Sequence, residues 1–175
     1  MRIVSGRAGG RHIATPEGND VRPTKDRVRE AVFNSLHSFG EIEDRVFGDL
    51  FAGSGALGLE ALSRGARSCT FIDNDRSALT VVTRNVSALE FNDRSVIRMA
   101  DSFRDLALLG PFDVALLDPP YSFDAWKEFL AAVPSEVVVI ESDHQVDPGI
   151  GWEILKAKQY ASTVVVIARR VHSGE

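Results

Sequence analysis

The sequence predicts an α/β fold: a mainly parallel, seven-stranded sheet with crossover helices, closed by an antiparallel C-terminal hairpin and preceded by a small basic extension. Three observations predict it. From residue 45 onward, short apolar runs alternate with segments of helical period, the rhythm a parallel sheet requires. A glycine-rich turn, Asp49-Leu50-Phe51-Ala52-Gly53-Ser54-Gly55, follows the first run and opens a helix. The last two runs are joined by a short turn, a connection open to antiparallel strands only. At 175 residues and 44% hydrophobic content the chain can bury one full core, so we expect an extension over residues 1–40 and a main domain over residues 41–175.

Residues 3–4 and 12–14 are extended pieces separated by the glycine-rich stretch 6–10, which predicts a small hairpin. Thr24 then caps a helix whose apolar positions Val28, Val32, Leu36 and Phe39 recur at helical spacing up to Gly40. Strands are expected over 46–51, 69–73, 96–100, 113–117 and 137–140, all bounded by turn or helix signals. Between them, 57–64 reads as a short helix stopped by Gly65, and 76–89 places Ala78, Leu79, Val82, Val86 and Leu89 on one face. A further helix is expected after Asp118, with Ser122 as its cap and Phe123, Trp126, Leu130 and Val133 as its buried stripe. Residues 153–158 and 163–168 form the closing hairpin.

Composition excludes several classes. No apolar run approaches the ~20 residues of a membrane span, and residues 1–7 lack a signal-peptide core, so no membrane association and a cytoplasmic location are expected. Cys69 is the single cysteine, and its setting at a strand start points to a packed thiol and not to a nucleophile. His12, His37, His144 and His172 are scattered, so no metal centre is expected. Trp126 and Trp152 fall in apolar stripes and read as core. The net charge is −5, yet the segment through Arg29 holds seven bases against three acids, a net +4, leaving −9 for the remainder. That asymmetry fits an arm that meets phosphates through Arg2, Arg7, Arg11, Arg22, Arg27 and Arg29.

Gly53-Ser54-Gly55-Ala56-Leu57-Gly58 satisfies the G-x-G-x-x-G pattern, with Asp73 about twenty residues on. A backbone free of Cβ atoms lets a ligand approach closely, and a carboxylate at the next strand's end can hold ribose hydroxyls. Phe51, Gly53, Ser54, Gly55 and Leu57 are therefore cofactor candidates, as are Asp73 and, beside it, Asn74. Nicotinamide dinucleotides and S-adenosylmethionine share the adenosine this geometry serves. Two features favour the methyl donor. Asp49 stands where it would repel a pyrophosphate but accept a hydrogen bond from an ammonium group, and Asp101-Ser102 follows the third strand, placed for an adenine amino group.

Asp118-Pro119-Pro120-Tyr121 ends the fourth apolar run. The lone pair of an exocyclic amine on a nucleobase is delocalised into the ring. The Asp118 carboxylate and the Pro119 carbonyl, aimed at the two amino hydrogens, would orient that nitrogen for attack. Paired prolines stiffen the loop, and Tyr121 can stack on the base. This chemistry suits guanine N2 and adenine N6 alike. A dinucleotide oxidoreductase has no His, Tyr-Lys or Cys arrangement suited to hydride transfer here, and a noncatalytic RNA-binding module gives no reason for acids at successive strand mouths.

The runs 22–36 and 49–66, the tetrapeptide at 118–121 and the opening Arg2-Ile3-Val4-Ser5-Gly6 with Gly10-Arg11 together resemble the RsmD family of 16S ribosomal RNA (guanine-N2) methyltransferases. The resemblance covers nearly the whole chain; stretches 141–147 and 156–163 depart from the family pattern. It implies a Rossmann-like class I methyltransferase domain at 41–175, S-adenosylmethionine as donor with S-adenosylhomocysteine as product, and one guanine in the RNA of the 30S subunit or an assembly intermediate as acceptor. It also implies that Arg22 and Thr24 fold over the cofactor mouth, that the arm holds RNA, and that the protein acts as a monomer. The alternative is an adenine-N6 methyltransferase acting on DNA or RNA.

Overall fold

The computed structural model describes residues 1–16 and 23–172, with Pro23 and Thr24 through their backbone alone. Helix α1 (Pro23–Ser38) is followed by β1 (Val46–Asp49), α2 (Ala56–Ser63), β2 (Ser68–Asp73), α3 (Arg76–Ala88), β3 (Ser95–Met99), β4 (Phe112–Leu117), α4 (Trp126–Ala132), β5 (Ser135–Ser142), β6 (Trp152–Tyr160) and β7 (Thr163–Arg170). The seven strands form one sheet in the order β3-β2-β1-β4-β5-β7-β6. The first five strands pair in parallel, while β7 runs antiparallel to both β5 and β6. Chain order reverses between β1 and β4, and the crevice at such a switch point is where doubly wound sheets place their ligands.

Burial on both faces explains why the central strands are continuous apolar runs instead of alternating ones. In β4, Val114 and Leu116 join the core under α1, α2 and α3, while Ala115 and Leu117 face the opposite core under α4. The edge strand β3 is covered less, and Val96 and Met99 stand exposed. Helix α2 packs tightly on β2 because Gly58 lacks a side chain: a Cβ there would lie 2.4 Å from the Phe71 ring and 2.6 Å from the Cys69 sulfur. Cys69 is fully buried, and Trp126 and Trp152 sit in the second core.

The start of the chain is stitched onto α2. The expected hairpin closes through the Arg2–His12 bridge and the backbone bonds of Ile3 to Arg11, Gly10 to Ile3 and Ile13 to Met1, and it ends at Val4 because the next amides turn to α2. The fully buried Glu60 carboxylate accepts hydrogen bonds from the Val4 and Ser5 amides at 2.7 and 3.0 Å. It also pairs with Arg64 at 2.7 Å and with Arg29 at 3.6 Å. Gly6, at φ 82°, lies so close to the end of α2 that a Cβ would fall 2.0 Å from the Ser63 carbonyl oxygen. Ile3, Ala8 and Ile13 thereby enter the same core as Val28, Val32 and Leu36 of α1, so the arm shares the main domain's interior.

Two boundaries differ from expectation. Helix α1 begins at Pro23, a residue suited to a first helical turn where no amide partner is needed, which puts Thr24 inside the helix. Helix α4 begins at Trp126 and not after Ser122. Phe123 is drawn instead into an aromatic cluster with Phe51, Trp126 and Phe129, at centroid distances of 5.8, 4.9 and 5.7 Å, and its amide closes a turn onto the Pro120 carbonyl. Glu60→Ala should cost about 3–5 kcal/mol of folding stability by denaturant titration, because buried Arg29 would keep Asp26 alone as its acid and two amides would lose their acceptor.

Candidate active site

The carboxyl ends of β1, β2, β4 and β5 open into a cavity of about 920 Å³. The glycine turn forms one wall. Leu50 and Ala52 extend the β1 ladder by donating to the Leu116 and Ile72 carbonyls, after which Gly53 and Gly55 turn the chain at φ 52° and 78°. Gly53 and Ser54 line the cavity; Gly55 stands behind them at the start of α2, packed against Phe71 and Leu59. Phe51 and Leu57 flank the turn, Phe51 forming part of the aromatic floor beneath it.

Acids converge on this turn. Asp73 accepts the Gly53 amide at 2.8 Å through one oxygen and the Asp75 amide at 2.9 Å through the other, which fixes the carboxylate while leaving each oxygen one further lone pair. Asn74 lines the wall beside it. Asp49 is 2% exposed and accepts the Gly58 amide, a free donor in the first turn of α2, at 3.0 Å. Burial outweighs that bond and, with the Asp118 and Asp73 charges adding to it, raises the Asp49 carboxyl to about 7. Asp101 caps a turn by accepting the Phe103 and Arg104 amides, which holds its carboxyl below the ordinary range. Ser102 is buried and donates its hydroxyl to the Leu50 carbonyl, so it ties the loop after β3 to the end of β1.

On the opposite wall, burial also pushes the Asp118 carboxyl up, and the Lys25 ammonium opposes the shift. Pro119 is buried, while Pro120 and Tyr121 stand at the rim, Tyr121 with 60% of its surface exposed. The four residues Asp118, Pro119, Pro120 and Tyr121 thus share one cavity with the glycine turn, which their distance in sequence leaves open.

The basic residues divide. Arg2, Arg7, Arg11 and Arg27 are exposed, with Arg7 in a long 3.9 Å pair to Glu90 and Arg11 donating to the Ala88 carbonyl at the end of α3. Arg29 corrects the expectation for its position: it is 3% exposed, donates to Asp26 at 3.0 Å and to the Arg2 carbonyl at 2.6 Å, and faces Glu60, so it braces the arm from within. Arg22 lies outside the described residues, as does the Thr24 side chain.

Three residues at the site escape the sequence reading. Asn85, on the buried face of α3, bridges the arm to the glycine turn by donating to the Ala14 and Ser54 carbonyls and accepting the Ala14 amide. Lys25 lines the cavity among the acids. Glu141 enters it from the end of β5, where burial and the neighbouring Asp118 raise its carboxyl to about 8. Its signal was in the sequence: an acid directly after the apolar run ending at Ile140, as Asp118 follows Leu117.

A family model described as "Conserved hypothetical protein 95" matches residues 1–169. The Escherichia coli protein named ribosomal RNA small subunit methyltransferase D is 31% identical over 186 aligned positions, covering 100% of this chain and 92% of that protein. YlbH of Bacillus subtilis is 38% identical over 148 positions, covering 82% and 78% respectively. Among solved structures, Escherichia coli yhhF superposes with a TM-score of 0.84 at 30% identity, covering 97% of each chain.

With Asp49 and Glu141 raised to about 7 and 8, the folded state without ligand holds protons that the unfolded chain releases near pH 4. Their contribution to stability is complete below that pH and is lost as pH rises through 7 to 8. The acids with lowered carboxyls, Asp44, Asp75 and Asp101, act below pH 4, outside this window. Thermal unfolding of the ligand-free protein should therefore show Tm falling from pH 5 to pH 8, with a flatter profile in Asp49→Asn.

Proposed function

Because the chain belongs to the family described as "Conserved hypothetical protein 95", the RsmD family, we propose that it is a ribosomal RNA methyltransferase carrying a methyl group from S-adenosylmethionine to the exocyclic N2 of a guanine in small-subunit 16S RNA. The observation that carries this reading is the placement of Asp118 and Pro119 in the same cavity as the glycine turn. The cavity's acids fit the donor: they disfavour a pyrophosphate and favour a ligand bearing an ammonium and a sulfonium charge. When bound, S-adenosylmethionine supplies an electrophilic methyl group that needs no metal. Asp73 and Asn74 take the ribose side, Asp49 the amino-acid ammonium, and the Asp101-Ser102 loop the adenine, with Phe51, Gly53, Ser54, Gly55 and Leu57 shaping the wall between them. Arg22 and Thr24 belong to the same proposal as residues closing the mouth.

On the acceptor side, Asp118 and the Pro119 carbonyl hold the two amino hydrogens and turn the nitrogen lone pair toward the donor. Pro120 keeps that loop stiff, and Tyr121 at the rim stacks on the base. A base paired in a helix has to be flipped to reach the clamp. After transfer the nitrogen carries an extra proton, and Asp118, its carboxyl already raised by burial, takes it or passes it to water. Positioning supplies much of the rate. Arg2, Arg7, Arg11 and Arg27 meet phosphates around the flipped base. The RNA partner is the 16S molecule, in the 30S subunit or in an assembly intermediate in the cytoplasm, approached by a monomer.

Tritiated methyl groups from S-adenosylmethionine should appear on guanine N2 of 16S RNA; label on adenine N6 would reassign the acceptor. Asp118→Ala should lower methyl transfer by about 10²–10³-fold while changing S-adenosylmethionine affinity little, measured by isothermal titration. Equal loss of both would make Asp118 a residue of the cofactor site or the fold. Replacing Arg2, Arg7 and Arg27 with Glu should weaken RNA binding and reduce the slope of log affinity against log salt by about 1 per lost phosphate contact.

A further inference from the structure

We propose that Glu141 reads the Watson–Crick edge of the acceptor base by accepting the guanine N1–H, so that the site rejects purines whose N1 carries a lone pair. The inference rests on the guanine-N2 reading above and names the group that distinguishes guanine from adenine within it.

The sheet register provides the geometry. Strands β4 and β5 pair in parallel from Phe112↔Ser135 to Leu117↔Ile140, so Asp118 and Glu141 follow directly on the last rung of that ladder. Adjacent strands lie about 4.8 Å apart. Both side chains line the cavity, and after burial the Asp118 charge is the strongest influence on the Glu141 carboxyl. Among the described residues no hydrogen bond contributes to the environment of Glu141, in contrast with Asp49, Asp73 and Asp101, which each hold a backbone amide. Lys25 faces both Asp118 and Glu141 and offsets part of their repulsion. A carboxylate without a donor of its own holds a proton instead, as the raised Glu141 carboxyl does, and a ligand N–H at that oxygen favours the charged, accepting form.

Guanine supplies it in the required place. Its exocyclic N2 and its N1–H are neighbouring donors on one edge, so a base whose amino group sits between Asp118 and the Pro119 carbonyl turns N1–H toward the adjacent strand end. Adenine seated by its N6 brings an N1 lone pair to that position, which repels the carboxylate form that the guanine N1–H favours. Sites built to receive a hydrogen bond reject analogues lacking the donor far more strongly than hydrophobic pockets reject a missing methylene. The rejection needs no contact with the remainder of the ring.

The test uses 2-aminopurine, which keeps the 2-amino group but has an unprotonated N1. Small-subunit RNA carrying guanine or 2-aminopurine at the mapped acceptor position, naked and reconstituted into subunits, is methylated by the full-length protein. The wild type should prefer guanine by about 100-fold in kcat/KM. Glu141→Gln, whose carboxamide can donate to N1, should narrow the preference to about 10-fold or less while leaving S-adenosylmethionine affinity unchanged. A wild type that accepts 2-aminopurine as readily as guanine overturns the inference without needing any variant. An undiminished preference in Glu141→Gln overturns it too, leaving Asp118 and Pro119 as the whole reader. Absence of methylation in both RNA forms carrying guanine overturns the guanine-N2 function itself.

Discussion

Carboxylates crowded at the mouths of neighbouring parallel strands are the constraint around which this molecule is arranged. Parallel pairing brings Asp49, Asp73, Asp118 and Glu141 to the same end of the sheet, and close packing of the strands' apolar bodies leaves them little water. Among the described residues their mutual repulsion is relieved by the Gly58, Gly53 and Asp75 amides and by the Lys25 and Arg29 charges. The remainder is stored as protons held above their ordinary affinity, a cost to the empty fold that a cationic or hydrogen-donating ligand removes. Under the proposed function one ligand brings positive charge to Asp49 and the other brings N–H donors to Asp118 and Glu141.

Helix α2 connects this electrostatic centre to the basic arm, although it is eight residues long. Its first turn presents the Gly58 amide to Asp49, and two residues later Glu60 gathers Val4, Ser5, Arg29 and Arg64. Asn85 makes a second link by joining Ala14 to Ser54 in the glycine turn. The arm that carries the exposed arginines is thus anchored at both ends of its path to the structure that shapes the cavity. The cavity and the surface bearing the exposed arginines are parts of one packed unit.

The parallel sheet was legible because strands covered on both faces write themselves as unbroken apolar runs, and the glycine turn because a tight approach excludes side chains. The closing hairpin was legible from its turn. The start of α4 was not, since Phe123 satisfies a helical stripe and an aromatic cluster equally well, and only packing with Phe51 and Phe129 decides between them. Arg29 misled because a charge in a basic run looks like its neighbours until Glu60 is found opposite it, thirty-one positions away. Glu141 followed a pattern already read at Asp118, but the pairing of β4 with β5 is what gives the resemblance a meaning.

The position of β7 bears on how the chain acquires this architecture. It lies between β5 and β6 in space, yet it is the last strand of this sheet in chain order, and among the described residues β6 pairs with no other strand. While a nascent chain lengthens, the strand containing Val137, Val138, Val139 and Ile140 has β4 on one side and an open row of backbone donors and acceptors on the other. Such a bare apolar edge invites pairing with another unfinished molecule. Completion of the sheet is therefore a late event, and the interval before it is when the polypeptide most needs shielding by chaperones.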